Sequence, residues 1–360
     1  MDISFGNISL WNFTLSDSVV AEAIVLPYYG HVLDEFRIAY ASVHGYLSLA
    51  CCIFGITSNI LIIIVLTRKN MISPTNTILI GLAVSDVLVM FSYIPFAYHN
   101  YIRKGLEDKH KFAYSWAVFT LLHQHFTIVC HNISTWLTVT LAIWRFLAIT
   151  LPNHAVVWCS MSRAILAIAI TYVMCSLFAI PAYFNFEIYQ YRDEANDFIY
   201  QVDFSKISHE HNKLLQKVTF WTYSVLMKLV PCVLLTGISF GLIKVLYERN
   251  QRRHRLMRRP DSESNHDNTT RMLLVVLLLF LITEFPSGLL ALLTGILGSE
   301  FYENVYFNFG EVMDSLALVN NAINFIIYCV MSRDFRSAFA SLFLSRMLTV
   351  TPNVSSAQTV

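Results

Sequence analysis

Charge is what this 360-residue chain has least of: 14% of its residues are Asp, Glu, Lys or Arg, against 56% hydrophobic. Soluble domains carry about 25% charged residues, so a pair of water-borne domains is excluded and the apolar excess must face lipid. No internal repeat is evident, which leaves one bundle rather than an array. A Cys/His set with metal-ligand spacing is missing: His123, His125 and His131 cluster in the third apolar run, but His123 and His125 lie two apart and point to different helix faces. Residues 1–39 lack a basic start followed by an apolar run, so the first apolar span is expected to direct insertion itself. The seven cysteines, Cys51, Cys52, Cys130, Cys159, Cys175, Cys232 and Cys329, all fall inside apolar runs or on the loops assigned below to the cytoplasm. That excludes a disulfide between the outer loops.

What the chain does have is a succession of apolar runs at 40–67, 76–99, 112–148, 163–184, 217–247, 271–298 and 308–331. Each reaches the ~20 residues that cross a ~30 Å hydrocarbon layer as a helix. The expected architecture is all-α: an extracellular tail at 1–39, a seven-transmembrane helix bundle at 40–331, and a cytoplasmic segment at 332–360. In that segment Phe335, Phe339, Leu342 and Phe343 recur at helical spacing beside Arg333 and Arg336, which predicts a short amphipathic eighth helix on the inner leaflet. Fifteen Lys and Arg fall on one set of loops and nine on the other. Cations stay preferentially in the cytoplasm, so the N-terminus is outside. The predicted site is the plasma membrane, crossed several times. Asn7 and Asn12 open glycan acceptor triplets on that outer side.

Seventeen carboxylates lie outside or at the mouth of the bundle, so the outer face is near −8. A field of that sign draws in cationic ligands, although acidic loops also simply keep a membrane protein soluble at its edges. The second outer loop alternates around a polar turn, with 187–191 and 198–202 bracketing Asp193 to Asp197. That pattern predicts a β-hairpin over the bundle mouth. Inside, Arg249, Arg252 and Arg253 extend the fifth span as a basic stretch suited to an intracellular protein or anionic lipid. Nothing points to nucleic acid.

An Asp at a helix centre costs roughly 2.5–3.5 kcal/mol on insertion scales, so buried carboxylates are functional candidates. Asp86 and Glu284 are the deepest, and Asn59, Ser134, Asn320, Asn321 and Asn324 are deep polar companions. Asn59, Leu82 to Asp86, Arg145, Pro231, Pro286 and Asn324 to Tyr328 occur in the order found in rhodopsin-like (class A) G-protein-coupled receptors, and the resemblance covers about 40–345. It implies a sodium and water site at Asp86, Ser134, Asn320 and Asn324. No cofactor is implied beyond that allosteric ion. It also implies a G-protein surface around Arg145 with Trp144, Tyr328 and the basic end of the fifth helix, an inhibitory-type heterotrimeric G protein as partner, and arrestin as a second. The chain is not expected to be an enzyme.

Departures narrow the resemblance. Trp144-Arg145-Phe146 replaces acid-Arg-Tyr, Thr283-Glu284-Phe285-Pro286 replaces the Cys-Trp-x-Pro toggle, Phe325 replaces a proline, and Thr120 stands where the family has a disulfide cysteine. Helix four lacks its usual tryptophan. The stretch Trp136 to Arg145 with Thr-Glu-Phe-Pro resembles the invertebrate myosuppressin receptors and nematode receptors for FMRFamide-like neuropeptides. The span from Phe112 to Ile143 has no Asp or Glu for an amine, and no lysine follows Lys244 to hold retinal. The resemblance therefore implies an amidated peptide ending in Arg-Phe. A guanidinium needs a carboxylate and a Phe ring an apolar pocket. Asp314 and Glu311 are the first candidates for the guanidinium, with Glu284 deeper and His131, Thr127, Tyr98, Trp221 and Tyr223 around them. The aromatic members serve equally as bundle packing. The alternatives are another peptide or a lipid on the same fold and, more remotely, a transporter or intramembrane enzyme.

Overall fold

The computed structural model describes residues 30–348 apart from 104, 106, 194–195, 210–213 and 256–263. The seven apolar runs are helical: α1 (Gly30–Leu66), α2 (Pro74–Ala97), α3 (Tyr114–Thr150), α4 (Met161–Phe178), α5, α6 (Ser264–Leu297) and α7 (Gly310–Met331). α5 is continuous in three pieces, Leu214–Trp221, a π-helical Thr222–Leu229, and Val230–Arg255. Among the described residues six helices are long and apolar enough to cross a membrane, and α6 adds the shorter apolar stretch Leu281–Leu297. A further helix, α8 (Arg333–Leu348), follows α7 and packs Phe335 and Phe339 around Phe325.

α1 starts ten residues earlier than its hydropathy implied. His31, Asp34, Glu35 and Arg37 hide the helix from an apolar window, yet they are held in place by partners. The Arg37 guanidinium lies 2.7 Å from Asp34, donates to Asn308 at 3.2 Å and stands over the Phe307 ring. The extra turns of α1 are thereby tied to the segment entering α7.

Ser73 caps α2, accepting from the Asn76 N–H at 3.2 Å, and Pro74 fills the first turn where a missing N–H costs nothing. Gly55 brings α1, α2 and α7 close together, because a Cβ there would overlap the Met90 sulfur and meet Ala322. An inner cluster including Ile62, Leu82, Leu137, Leu141 and Tyr328 fills the cytoplasmic half. A second around Val89, Met90, Tyr93, Ile128 and Leu318 fills the outer half. α4 buries only 17% of its apolar window against 50% for α2, and Ile165, Leu166, Ile170 and Val173 face outward, as lipid contact requires.

The outer hairpin is present, with β1 (Phe186–Arg192) antiparallel to β2 (Phe198–Phe204) and Phe186 paired to Phe204. Asn196 takes the left-handed conformation at its turn (φ 61°), where an Asn side chain is tolerated, and accepts from Arg192 at 2.8 Å. All seven cysteines are free, so the hairpin is fixed by other means. The Tyr200 N–H donates to the Phe112 carbonyl at 2.8 Å, and Phe186 and Val202 bury against Ala117 of α3. Tyr183 stacks on His125 at 4.2 Å, and Lys109 of the first outer loop reaches Asp197 at 3.7 Å. In that loop a hydrogen bond from Lys109 holds the Glu107 carboxyl below the usual carboxylate range.

Candidate functional site

Under the hairpin, Phe96 and Asn100 on one side and Trp116, Thr120 and Gln124 on the other border a cleft roofed by Tyr200, Gln201 and Val202. The wall toward α7 is aromatic and polar. Tyr93 and His123 pack against Phe96, with ring centroids 5.5 and 4.6 Å away. The Tyr93 hydroxyl donates to Asp314 at 3.2 Å and is 2.9 Å from His44 Nε2, while His44 Nδ1 is 3.0 Å from the Ser315 hydroxyl. One turn outward on α7, Glu311 is 2% exposed and its Oε2 has no hydrogen-bond partner. A buried acceptor left without a donor costs about 1–3 kcal/mol, so it is a place for one to arrive. The structure thus brings Asp314 and Glu311 together, beside the cleft.

Glu284 has a different setting. Its Oε2 accepts from Lys228 Nζ at 2.8 Å and lies 3.2 Å from His131 Nε2. Lys228 Nζ is also 3.2 Å from that same ring nitrogen, 3.4 Å from Ser287 Oγ and 5.9 Å over the Tyr223 ring. All three members of this triad are 2% exposed. A buried carboxylate with a buried ammonium is charge-balanced, so Glu284 is already neutralised and is corrected as a guanidinium partner. Lys228 is the residue that the sequence reading missed. It is the one cation left over when the loop cations are assigned to the two faces, and its place in the apolar run Val225 to Val233 was the signal.

The remaining positions divide. Thr127 is fully buried, but its hydroxyl donates back to the His123 and Gln124 carbonyls, as helix interiors allow. Tyr98 and Trp221 are 53% and 44% exposed and do not join the site. Tyr98 opens the π-helical turn Tyr98–Ile102 that carries it outward, and Trp221 packs near Gly295 of α6. Deeper, Asp86 accepts from Ser134 at 2.7 Å and from Asn324 at 3.4 Å, and Asn59 donates to the Asn321 carbonyl at 2.8 Å. Asn320 makes no hydrogen bond to Asp86 and is half-buried.

At the cytoplasmic end Arg145 forms no ion pair among the described residues, and its Nε, the Trp144 indole N–H and the buried Tyr328 hydroxyl have no hydrogen-bond partners. The side chains of Arg249, Arg252 and Arg253, and all of Asn7 and Asn12, lie outside the described residues. Among the described residues no cluster of three His, Cys, Asp or Glu could hold a metal ion.

The family described as "Serpentine type 7TM GPCR chemoreceptor Srw" matches residues 46–346. Among characterised proteins the chain is similar to the G-protein coupled receptor dmsr-1 of Caenorhabditis elegans, at 28% identity over 85% of this chain and 69% of that one. It is similar to the Sex peptide receptor of Drosophila melanogaster, at 28% over 95% and 78% respectively. It also matches the Drosophila FMRFamide receptor, at 23% over 89% of this chain and 57% of that protein.

Proposed function

This chain belongs to the serpentine seven-transmembrane G-protein-coupled receptor family, and from that premise we propose that it is the receptor for a short amidated peptide ending in Arg-Phe. It is a multi-pass plasma-membrane receptor with its N-terminus outside, not an enzyme. Its relatives with named ligands take peptides, and it passes a peptide signal to heterotrimeric G proteins. Identity of 23% to the FMRFamide receptor carries the class of ligand and not its sequence.

The observation that supports the finer reading is the pair of carboxylates on the outer turns of α7, Glu311 and Asp314, buried to 2% and 4% beside an aromatic cleft. A guanidinium satisfies two carboxylates through its forked N–H groups, and the neighbouring Tyr93, Phe96 and Trp116 suit a phenyl ring. Binding there favours one of two arrangements of α5, α6 and α7, and the cytoplasmic end beside Arg145 and Tyr328 opens to read out the change. An inhibitory-type G protein and arrestin are the intracellular partners in this reading. Asp86, the Ser134 hydroxyl and the amide oxygens of Asn320 and Asn324 are hard donors that suit a sodium ion, once Ser134 and Asn324 turn their hydrogens away from the carboxylate. An ion held there would favour one arrangement of α2, α3 and α7.

The test is G-protein activation in cells expressing the chain, challenged with peptides sharing an Arg-Phe-amide end. Activation by amidated members supports the proposal. Silence with receptor at the surface removes it and leaves another peptide or a lipid as the ligand of the same fold.

A further inference from the structure

Glu284 has two oxygens and uses one. Oε2 is taken by Lys228 and His131, while Oε1 is buried with no hydrogen-bond partner. His131 Nε2 lies 3.2 Å from both charged atoms, so in either tautomer it bonds one of them without adding charge. Within the triad one ammonium balances one carboxylate, and Glu284 Oε1 is an acceptor without a donor. It also lies in line with the cleft. Gln124, which borders the cleft, and His131 are seven residues apart on α3, two turns on the same face and roughly 10 Å along the axis. Gln124 Oε1 is likewise buried without a donor, so one unfilled acceptor borders the cleft and a second lies two turns deeper, at the bottom of the same face of α3.

Charge decides what fits at that bottom. A guanidinium would add a second cation next to Lys228, and a carboxylate would sit against Glu284; in either case a desolvated charge stays uncompensated. An uncharged N–H donor completes Glu284 and disturbs no charge. A site built to bond an N–H rejects an analogue that lacks it, because its own buried acceptor is then left unpaired.

Resting on the reading of the ligand as an amidated peptide, we propose that Lys228, Glu284 and His131 form the floor that selects a terminal carboxamide over a free carboxylate. Glu284 Oε1 accepts an amide N–H, and Lys228 keeps the floor neutral. The guanidinium stays above, at Glu311 and Asp314. Glu284 is then a ligand contact, and Lys228 a positioning residue that acts through it.

The experiment compares an Arg-Phe-amide tetrapeptide with its free acid on the wild-type receptor, Glu284→Gln and the double variant Glu284→Gln/Lys228→Met, with surface expression measured in parallel. The readout is the ratio of the two potencies, which a merely structural role would leave unchanged. In Glu284→Gln Lys228 has lost the Glu284 charge and remains a cation, so the acid gains on the amide by at least about tenfold. The double variant is uncharged and presents an amide that donates as well as accepts, which brings the two peptides within about threefold. If Glu284→Gln does not reach the surface, the double variant alone decides. A wild-type preference for the amide that survives unaltered in the variants overturns the floor and leaves the amidated-peptide reading standing. A wild-type receptor blind to both peptides removes that reading as well.

Discussion

Lys228 and Glu284 face each other at 2.8 Å where two helices are interrupted, Lys228 at the end of the π-helical part of α5 and Glu284 two residues before Pro286. Breaking one side of a buried ion pair costs about 3–5 kcal/mol, because the survivor is left as an uncompensated charge. Lys228→Met should therefore lower the thermal stability of purified receptor by an amount of that order, and Lys228→Met/Glu284→Leu should recover most of it. Equal melting of wild type and single variant would mean that the pair contributes nothing. Glu284 was visible in the sequence because it interrupts an apolar run with a carboxylate. Lys228 interrupts an apolar run in the same way, between Met227 and Leu229, but its pairing with Glu284 joins two helices and has no local trace. Long side chains also give no sign in sequence of whether they snorkel outward or turn in. Asp314 and Glu311 were legible from the i, i+3 spacing of two acids at the mouth of α7. That Tyr93, in contact with His44, would donate to Asp314 required three helices to be in place.

The hairpin was legible as an element, since alternating Tyr, Ile and Phe around Asp193 to Asp197 leave little else to form. Its attachment was not, because absent cysteines say only what does not hold it. In the fold α3 holds it, through the Tyr200 to Phe112 hydrogen bond and the cluster of Ala117, Phe186 and Val202. Phe186→Ala removes a ring stacked 5.1 Å from Phe204 and should loosen the hairpin by about 3 kcal/mol, the low end for a buried Phe. Hydrogen exchange checks this: amides of 186–192 and 198–204 should exchange faster while those of α3 keep their protection. Unchanged exchange in the hairpin would show that the cluster does not anchor it. The π-helical stretch Thr222–Leu229 had no such signal. Its cause lies downstream, because Pro231 cannot donate to the Met227 carbonyl and its ring crowds that turn, which widens in response.

For the molecule as a whole, seven spans and their orientation followed from hydropathy and loop charge. The missing restraint on Arg145 followed from Trp144 standing where related receptors have an acid, and the structure gives Arg145 no ion pair among the described residues. An arginine without that partner biases the equilibrium toward the coupled state. Ligand-free signalling should accordingly exceed that of empty cells, and Trp144→Asp should reduce it by restoring an acid beside Arg145. Basal output equal to empty cells would contradict this.

If Glu311 and Asp314 hold a guanidinium of the ligand, as proposed, a double-mutant cycle across that contact measures it. An Arg-Phe-amide peptide is compared with one in which citrulline, uncharged and of the same shape, replaces the arginine, on wild type and on Glu311→Gln/Asp314→Asn. Charge-assisted hydrogen bonds of this kind contribute about 1.5–3 kcal/mol, so citrulline should weaken the peptide roughly 10- to 100-fold on wild type. On the variant the two peptides should differ by less than about threefold. An equal loss on both receptors would place the guanidinium elsewhere and contradict the account.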